Sequence, residues 1–292
     1  MNHTITKWVL FIVLSIIWGS SFILMKLGIN GGFSAYQVAS IRMLSAALFL
    51  LPFAYKAFKN IPSIHRKYVI ASGLLGSFFP AFLYCIAETR IDSSLAGILN
   101  ALTPLFTIVV GSLFFNMPTN RVKVIGVLVG LIGLILLPFA GGKAVNLADI
   151  SYSLLVLLAT LFYGINVNVV GRYLKTFSPI HVVSLSFSFI LIPAALILFS
   201  TGFLQLDFSK PEYSNALLAS ATLGIGGTAI AGILFYQLLK MAGPLFGSLV
   251  TYGMPFIAVG WGIYFQESVN LMQIGCLAII LAGVYIVNQG RG

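Results

Sequence analysis

Ten runs of about twenty apolar residues, joined by connectors too short to fold independently, set what this chain can become. They cover roughly residues 8–27, 35–55, 68–88, 93–115, 122–140, 150–172, 179–201, 214–239, 244–265 and 270–288. The hydrocarbon core of a bilayer asks for about 20 such residues per helix, within a range of about 17 to 25. The runs are continuous, which excludes a transmembrane barrel, whose lumen-facing positions would be polar at every second residue. With 16 basic and 6 acidic side chains among 292 residues and a mean hydropathy of +1.04, the chain cannot clothe so much apolar surface in water. The expected fold is a single all-α membrane domain of ten transmembrane helices.

The loops orient these helices. With the amino terminus inside, the cytoplasmic connectors hold eleven basic residues: Lys7, Lys56, Lys59, Arg66, Lys67, Arg121, Lys123, Arg172, Lys175, Lys240 and Arg291. The outer connectors hold Lys26, Arg90, Lys143 and Lys210, and Arg42 alone sits well inside a helix. By the positive-inside rule both termini are expected in the cytoplasm. A pI near 9.7 does not point to nucleic acid, because the basic residues form neither a patch nor a binding motif. Cys85 and Cys276 lie in apolar runs and read as small buried hydrophobes rather than a disulfide or metal site. The first run follows a lysine, as a signal peptide does, but it is too long, lacks an A-x-A site and is expected to remain as helix one.

The chain also repeats itself. A shift of 151 residues lays Gly73 on Gly224, Gly76 on Gly227, Leu83 on Leu234, Pro104 on Pro255, Gly111 on Gly262 and Phe114 on Phe265. At a slightly smaller shift Trp18-Gly19 lies over Tyr163-Gly164. Residues 1–145 (helices 1–5) are therefore expected to repeat as 146–292 (helices 6–10). Because five is odd, the second copy enters from the opposite face, giving a 5+5 inverted repeat. In such transporters the substrate site lies near mid-membrane between the copies, lined by interrupted helices.

That rule selects the candidate residues. Trp18, Gly19, Ser20 and Ser21 interrupt the first apolar run, with Tyr163, Gly164 and Asn166 at the matching place in helix six. They are read as cavity wall, against helix packing by small residues. Asn100, Thr103 and Thr107 share one polar stripe on helix four, and Thr251 and Tyr252 stand at the related place on helix nine. Tyr84, Tyr236 and Gln237 complete the inventory, so the expected substrate-binding set is Trp18, Ser21, Tyr84, Asn100, Thr103, Tyr163, Asn166, Tyr236, Gln237 and Tyr252. Pro104 and Pro255 each delete a backbone hydrogen bond and, with Gly19 and Gly164, are the expected hinges.

Arg42, inside helix two, costs about 2.5–3.5 kcal/mol on insertion scales and must find partners. The Glu88 carboxylate and carbonyls freed by a break in helix one are the candidates. A structural brace is the preferred reading, with a substrate-carboxylate or coupling role as the alternative; Glu88 is the candidate for proton coupling. Small-residue stripes on helix five (Gly126, Gly130, Gly133) and helix ten (Gly275, Ala278, Ala282) suggest tight packing, with a homodimer seam left open beside a monomer.

The stretch "WGSSFILMKL", Arg42, residues Gly224 to Val269, and the following Gly275 and Gly283 resemble the EamA-type proteins of the drug/metabolite transporter superfamily. The resemblance spans both halves and implies a ten-helix export carrier for amino acids or other small metabolites, with a cavity between the halves. Two departures stand out: the acid that follows helix nine is present as Glu267 while its counterpart after helix four is Asn116, and Thr103 precedes the first-half proline.

An intramembrane enzyme is disfavoured, since H-E-x-x-H and G-x-S-x-G are absent and no pair of acids falls inside the spans. No cofactor, metal or ATP-binding motif is present. A channel would show rings of charge or a filter loop. A scaffold would want a soluble partner-binding domain. The expected lining is aromatic and neutral, which suits neutral or zwitterionic solutes with apolar bodies. The expectation is a secondary carrier exporting hydrophobic or aromatic amino acids by alternating access in a bacterial plasma (inner) membrane. Its partners are a small-molecule substrate and the lipid bilayer; a drug-like cation or a nucleoside is the alternative cargo.

Overall fold

The structure, a computed structural model, describes residues 3–117, 120–136, 147–267 and 269–289. Within them all regular structure is helical. A bilayer permits little else, since every backbone N–H and C=O inside it must be satisfied within the segment. The order is α1 (His3–Asn30), α2 (Ala35–Asn60), α3 (Ser63–Gly73), α4 (Phe79–Ala87), α5 (Ser93–Asn100), α6 (Thr103–Phe114), α7 (Arg121–Leu136), α8 (Leu147–Val169), α9 (Pro179–Ser200), α10 (Pro211–Gly224), α11 (Ala231–Ser248), α12 (Val250–Tyr264) and α13 (Leu271–Gln289). The junction expected at 145/146, with Lys143 and Arg291, lies outside the described residues.

Among the described residues, seven stretches are long and apolar enough to cross a membrane: Ile5–Asn30, Ala35–Asn60, Ser63–Ala87, Ser93–Phe114, Ile150–Leu174, Pro179–Ser200 and Pro211–Ser248. The last has 38 residues. At 1.5 Å per residue that is about 57 Å, nearly twice the hydrocarbon thickness of about 30 Å. Gly243 divides it: its φ of 82° is open to glycine without strain, and Pro244 follows. Leu113, Ile192, Leu196 and Leu271 are exposed on the outer surface, as lipid-facing side chains are.

Helices α3 and α4 are joined by the π-helical turn Leu74–Phe78, and α10 and α11 by the π-helical turn Ile225–Ile230. The first residues of the two turns are 151 positions apart, and both turns are glycine-bearing. A third, Val170–Leu174, follows α8. Such turns widen the helix and loosen the carbonyl ladder, and they concentrate at functional sites. A break was expected in helix one, but α1 runs unbroken from His3 to Asn30. The interruptions lie instead in helices three, four and eight, at the end of helix six and at the start of helix nine.

Helix α1 packs on α12, α6 on α8, α2 along α9, and α7 along α13. In the α7/α13 seam a Cβ on Gly133 would stand 2.8 Å from Ile280, and one on Gly283 would stand 2.4 Å from the Gly130 nitrogen. The stripe Gly126, Gly130, Gly133 is therefore buried as expected. Its expected counterpart on α13 is displaced: Gly275, Ala278 and Ala282 are exposed, and the buried face carries Cys276, Ile280 and Gly283. Alanine-sized side chains marked the wrong face because the seam needs closeness at one glycine, not smallness along a row. Both cysteines are free and buried.

Candidate functional site

A cavity of about 90 Å³, measured to the centres of the waters it could hold, lies at the convergence of these interruptions. Its walls come from α1, α2, α3, α4, α5, α6, α8, α9, α11, α12 and the π-turns Leu74–Phe78 and Ile225–Ile230.

The break between α5 and α6 supplies one polar wall. Pro104 has no N–H to give to the carbonyl four residues back, that of Asn100. The Thr103 hydroxyl donates to that carbonyl instead, at 2.8 Å. The Asn100 side chain, at the edge of the break, accepts from the Tyr84 hydroxyl at 2.6 Å. The start of α12 repeats the device: the Thr251 hydroxyl donates to the Ser248 carbonyl at 2.8 Å, across the turn at Leu249. Tyr84, Asn100, Thr103, Ser248 and Thr251 all line the cavity. Pro255 itself lies inside the continuous α12, seven positions after Ser248, so the second interruption is not at the proline expected to cause it.

The aromatic wall is built by bonds to the breaks. Trp18 Nε1 donates to the Gly227 carbonyl in the π-turn at 2.8 Å, and its ring meets Phe235 edge-on with centroids 4.8 Å apart. Tyr84 and Tyr163 stack at 6.1 Å with planes 24° apart. The Tyr236 hydroxyl pairs with Ser72 Oγ at 2.6 Å and accepts from Asn166 Nδ2 at 3.4 Å. The remaining amide oxygen of Asn166 is buried without a partner.

Arg42 reaches this cavity and is 7% exposed. Its Nε donates to Thr228 Oγ1 at 2.7 Å and one terminal nitrogen faces Met25 Sδ at 3.7 Å. The expected partner Glu88 is fully buried outside the lining, and both of its carboxyl oxygens are unbonded. What holds Arg42 is a neutral threonine whose hydroxyl in turn donates to the Leu223 carbonyl at 3.1 Å, at the mouth of the widened turn. The expected partner Glu88 makes no hydrogen bond to Arg42 and interacts with it only through space, while Thr228 bonds it directly.

Eight of the ten expected binding residues line the cavity: Trp18, Ser21, Tyr84, Asn100, Thr103, Tyr163, Asn166 and Tyr236. Gln237 is exposed and Tyr252 faces away with its hydroxyl buried and unbonded, because neighbours on a helix point about 100° apart and Tyr236 and Thr251 take the inward direction. The expected hinge glycines are contact points in unbroken helices. A Cβ on Gly19 would lie 2.9 Å from the Met254 carbonyl, and one on Gly164 2.9 Å from Thr107 N. Phe22, Met25, Thr228, Phe235 and the α9 residues Val183, Ser186 and Phe187 were not anticipated. The serines at 184, 186 and 188 were the available signal for α9; for the others only the glycine register 73/76 and 224/227 pointed to the right turns.

Beyond the cavity, Lys26 Nζ donates to the carbonyls of Glu88 and Ile91 at 2.9 and 3.0 Å, closing the end of α4. Glu267, just past α12, accepts the backbone N–H groups of both Ser93 and Ser94 at 3.0 Å, and their hydroxyls as well. It caps α5 from the other half of the chain. Half-burial pushes its carboxyl up, but the Ser93 and Ser94 bonds together outweigh that and hold it below the usual range.

The EamA-like transporter family model matches residues 6–139 and again 150–289. The chain is 24% identical to the uncharacterized inner membrane transporter YedA of Escherichia coli K12 over 95% of this chain and 89% of that one. It is equally 24% identical to the uncharacterized transporter YdfC of Bacillus subtilis, over 92% and 86%. A crystal structure superposes over 98% of this chain and 97% of its own with a TM-score of 0.65 at 17% identity, a likeness of fold alone. With its helical, multi-pass architecture and a family match over nearly its whole length, the chain belongs to the EamA-like transporter family.

Proposed function

We propose that this protein is a secondary carrier that exports hydrophobic or aromatic amino acids and related small metabolites by alternating access. Its ten spans form two inverted five-helix halves, residues 1–145 and 146–292, with both termini in the cytoplasm of a bacterial cell. The observation that carries this reading is the cavity: residues of both halves line it, and four helix interruptions open onto it. The repeat is supported by the two π-turns 151 residues apart, by the twofold family match, and by the reciprocal packing of α1 on α12 and α6 on α8. Stacked aromatic faces with few polar groups suit a solute with an apolar body. The inner-membrane location is supported by the name of the relative YedA.

The test is flux. Proteoliposomes holding the full chain are expected to move radiolabelled phenylalanine or leucine saturably, with and without an imposed pH gradient. Trp18→Ala and Tyr163→Ala should slow it severalfold. Flux no faster than in empty liposomes for every amino acid tried, or variants as fast as the parent, overturns the assignment. Accessibility labelling that places the two termini on opposite faces overturns the inverted repeat.

A further inference from the structure

The geometry points to Arg42 as a carboxylate-recognition residue of the cavity, so that the solute is an apolar monocarboxylate held by its acid group. This rests on the carrier reading above. A guanidinium is always charged and carries five donors. At Arg42 one donor bonds the Thr228 hydroxyl, another faces only a thioether sulfur, and the guanidinium also interacts with the Tyr163 hydroxyl, which leaves donors over for a solute. An ionised group this buried is stable only when paired. The lining contains no acidic residue: Glu88 lies outside it, feels Arg42 only through space and makes no hydrogen bond through its carboxyl, and Glu267 is engaged by Ser93 and Ser94. The cavity wall therefore carries a positive charge to which no acidic group is hydrogen-bonded. A planar carboxylate matches the guanidinium edge in a two-point pairing that no neutral or cationic solute reproduces. Drug-like cations are disfavoured by the same charge.

Isothermal titration of three probes into the full chain in lipid nanodiscs tests this: L-phenylalanine, 3-phenylpropanoate, which lacks the ammonium, and L-phenylalaninamide, which lacks the carboxylate. Phenylalanine and 3-phenylpropanoate are expected to bind, and phenylalaninamide at least about tenfold more weakly. Arg42→Gln keeps a donor for Thr228 and is expected to bind phenylalanine at least about tenfold more weakly, whereas Arg42→Lys should lose less. The comparison of probes on the unaltered protein stands even if a variant fails to fold. Equal binding of phenylalanine and its amide overturns the role of Arg42 and leaves the amino-acid carrier intact. Binding of 3-phenylpropanoate without phenylalanine upholds Arg42 and overturns the amino-acid assignment. Binding of none of the three overturns both.

Discussion

The carboxylate of Glu267 accepts the backbone N–H of Ser94 at 3.0 Å and its hydroxyl at 2.8 Å, joining the far end of α12 to the start of α5 across 173 positions of sequence. Four donors from Ser93 and Ser94 converge on one side chain, and the positive end of the helix dipole adds to them. The folded carboxyl is held below its ordinary value of 4.5, so the clasp contributes fully above that pH and is lost as pH falls through the lowered folded value. Thermal melts of the detergent-solubilised protein should therefore show an acid limb below about pH 4.5 that Glu267→Gln flattens. At pH 7 Glu267→Ala is expected to cost about 0.5–2 kcal/mol, the range for losing a helix cap. Identical acid limbs in parent and variant would falsify the clasp as a source of stability.

Trp18 contributes a ring and a single hydrogen bond, and these separate. Trp18→Phe keeps an aromatic ring, loses the bond to the Gly227 carbonyl and trims the indole, and is expected to cost about 1–3 kcal/mol. Trp18→Ala also empties the space against Phe235, for about 3–5 kcal/mol. Denaturation midpoints of the two variants check the order; a phenylalanine variant as unstable as the alanine one would mean that the indole N–H, not the ring, carries the site.

Two glycines of similar sequence context should respond oppositely. Gly164→Ala drives a Cβ to 2.9 Å from the backbone of Phe106 and Thr107, which cannot yield without moving α6, and is expected to cost about 1–3 kcal/mol. Gly275→Ala meets nothing within 4 Å and should be neutral or slightly stabilising through helix propensity. Melting temperatures of the pair decide, and equal losses would count against the tight α6/α8 crossing.

Glu88 is buried with no partner for either oxygen. Glu88→Gln should therefore be tolerated, with stability changed by less than about 1 kcal/mol, whereas breaking a buried ion pair typically costs about 3–5 kcal/mol. A loss of the larger size on equilibrium unfolding would restore the Arg42–Glu88 brace.

Sequence alone determined that the chain is a helical membrane protein and pointed to its family, because apolar run length and loop charge are local quantities that the bilayer reads residue by residue. It also marked eight residues of the cavity wall, since polar and aromatic residues inside an apolar run have few other places to go. Tertiary structure decided the partners. Arg42 could have met Glu88 by composition, but the π-turn brings Thr228 to it instead. Gly19 and Gly164 could have been joints, but each is pressed against a neighbouring backbone. Gln237 and Tyr252 are as polar as Tyr236 and Thr251, and only the rotation of α11 and α12 about their own axes chooses which of each pair faces the cavity. That rotation is set by packing across the whole bundle, a sum over contacts distant in sequence.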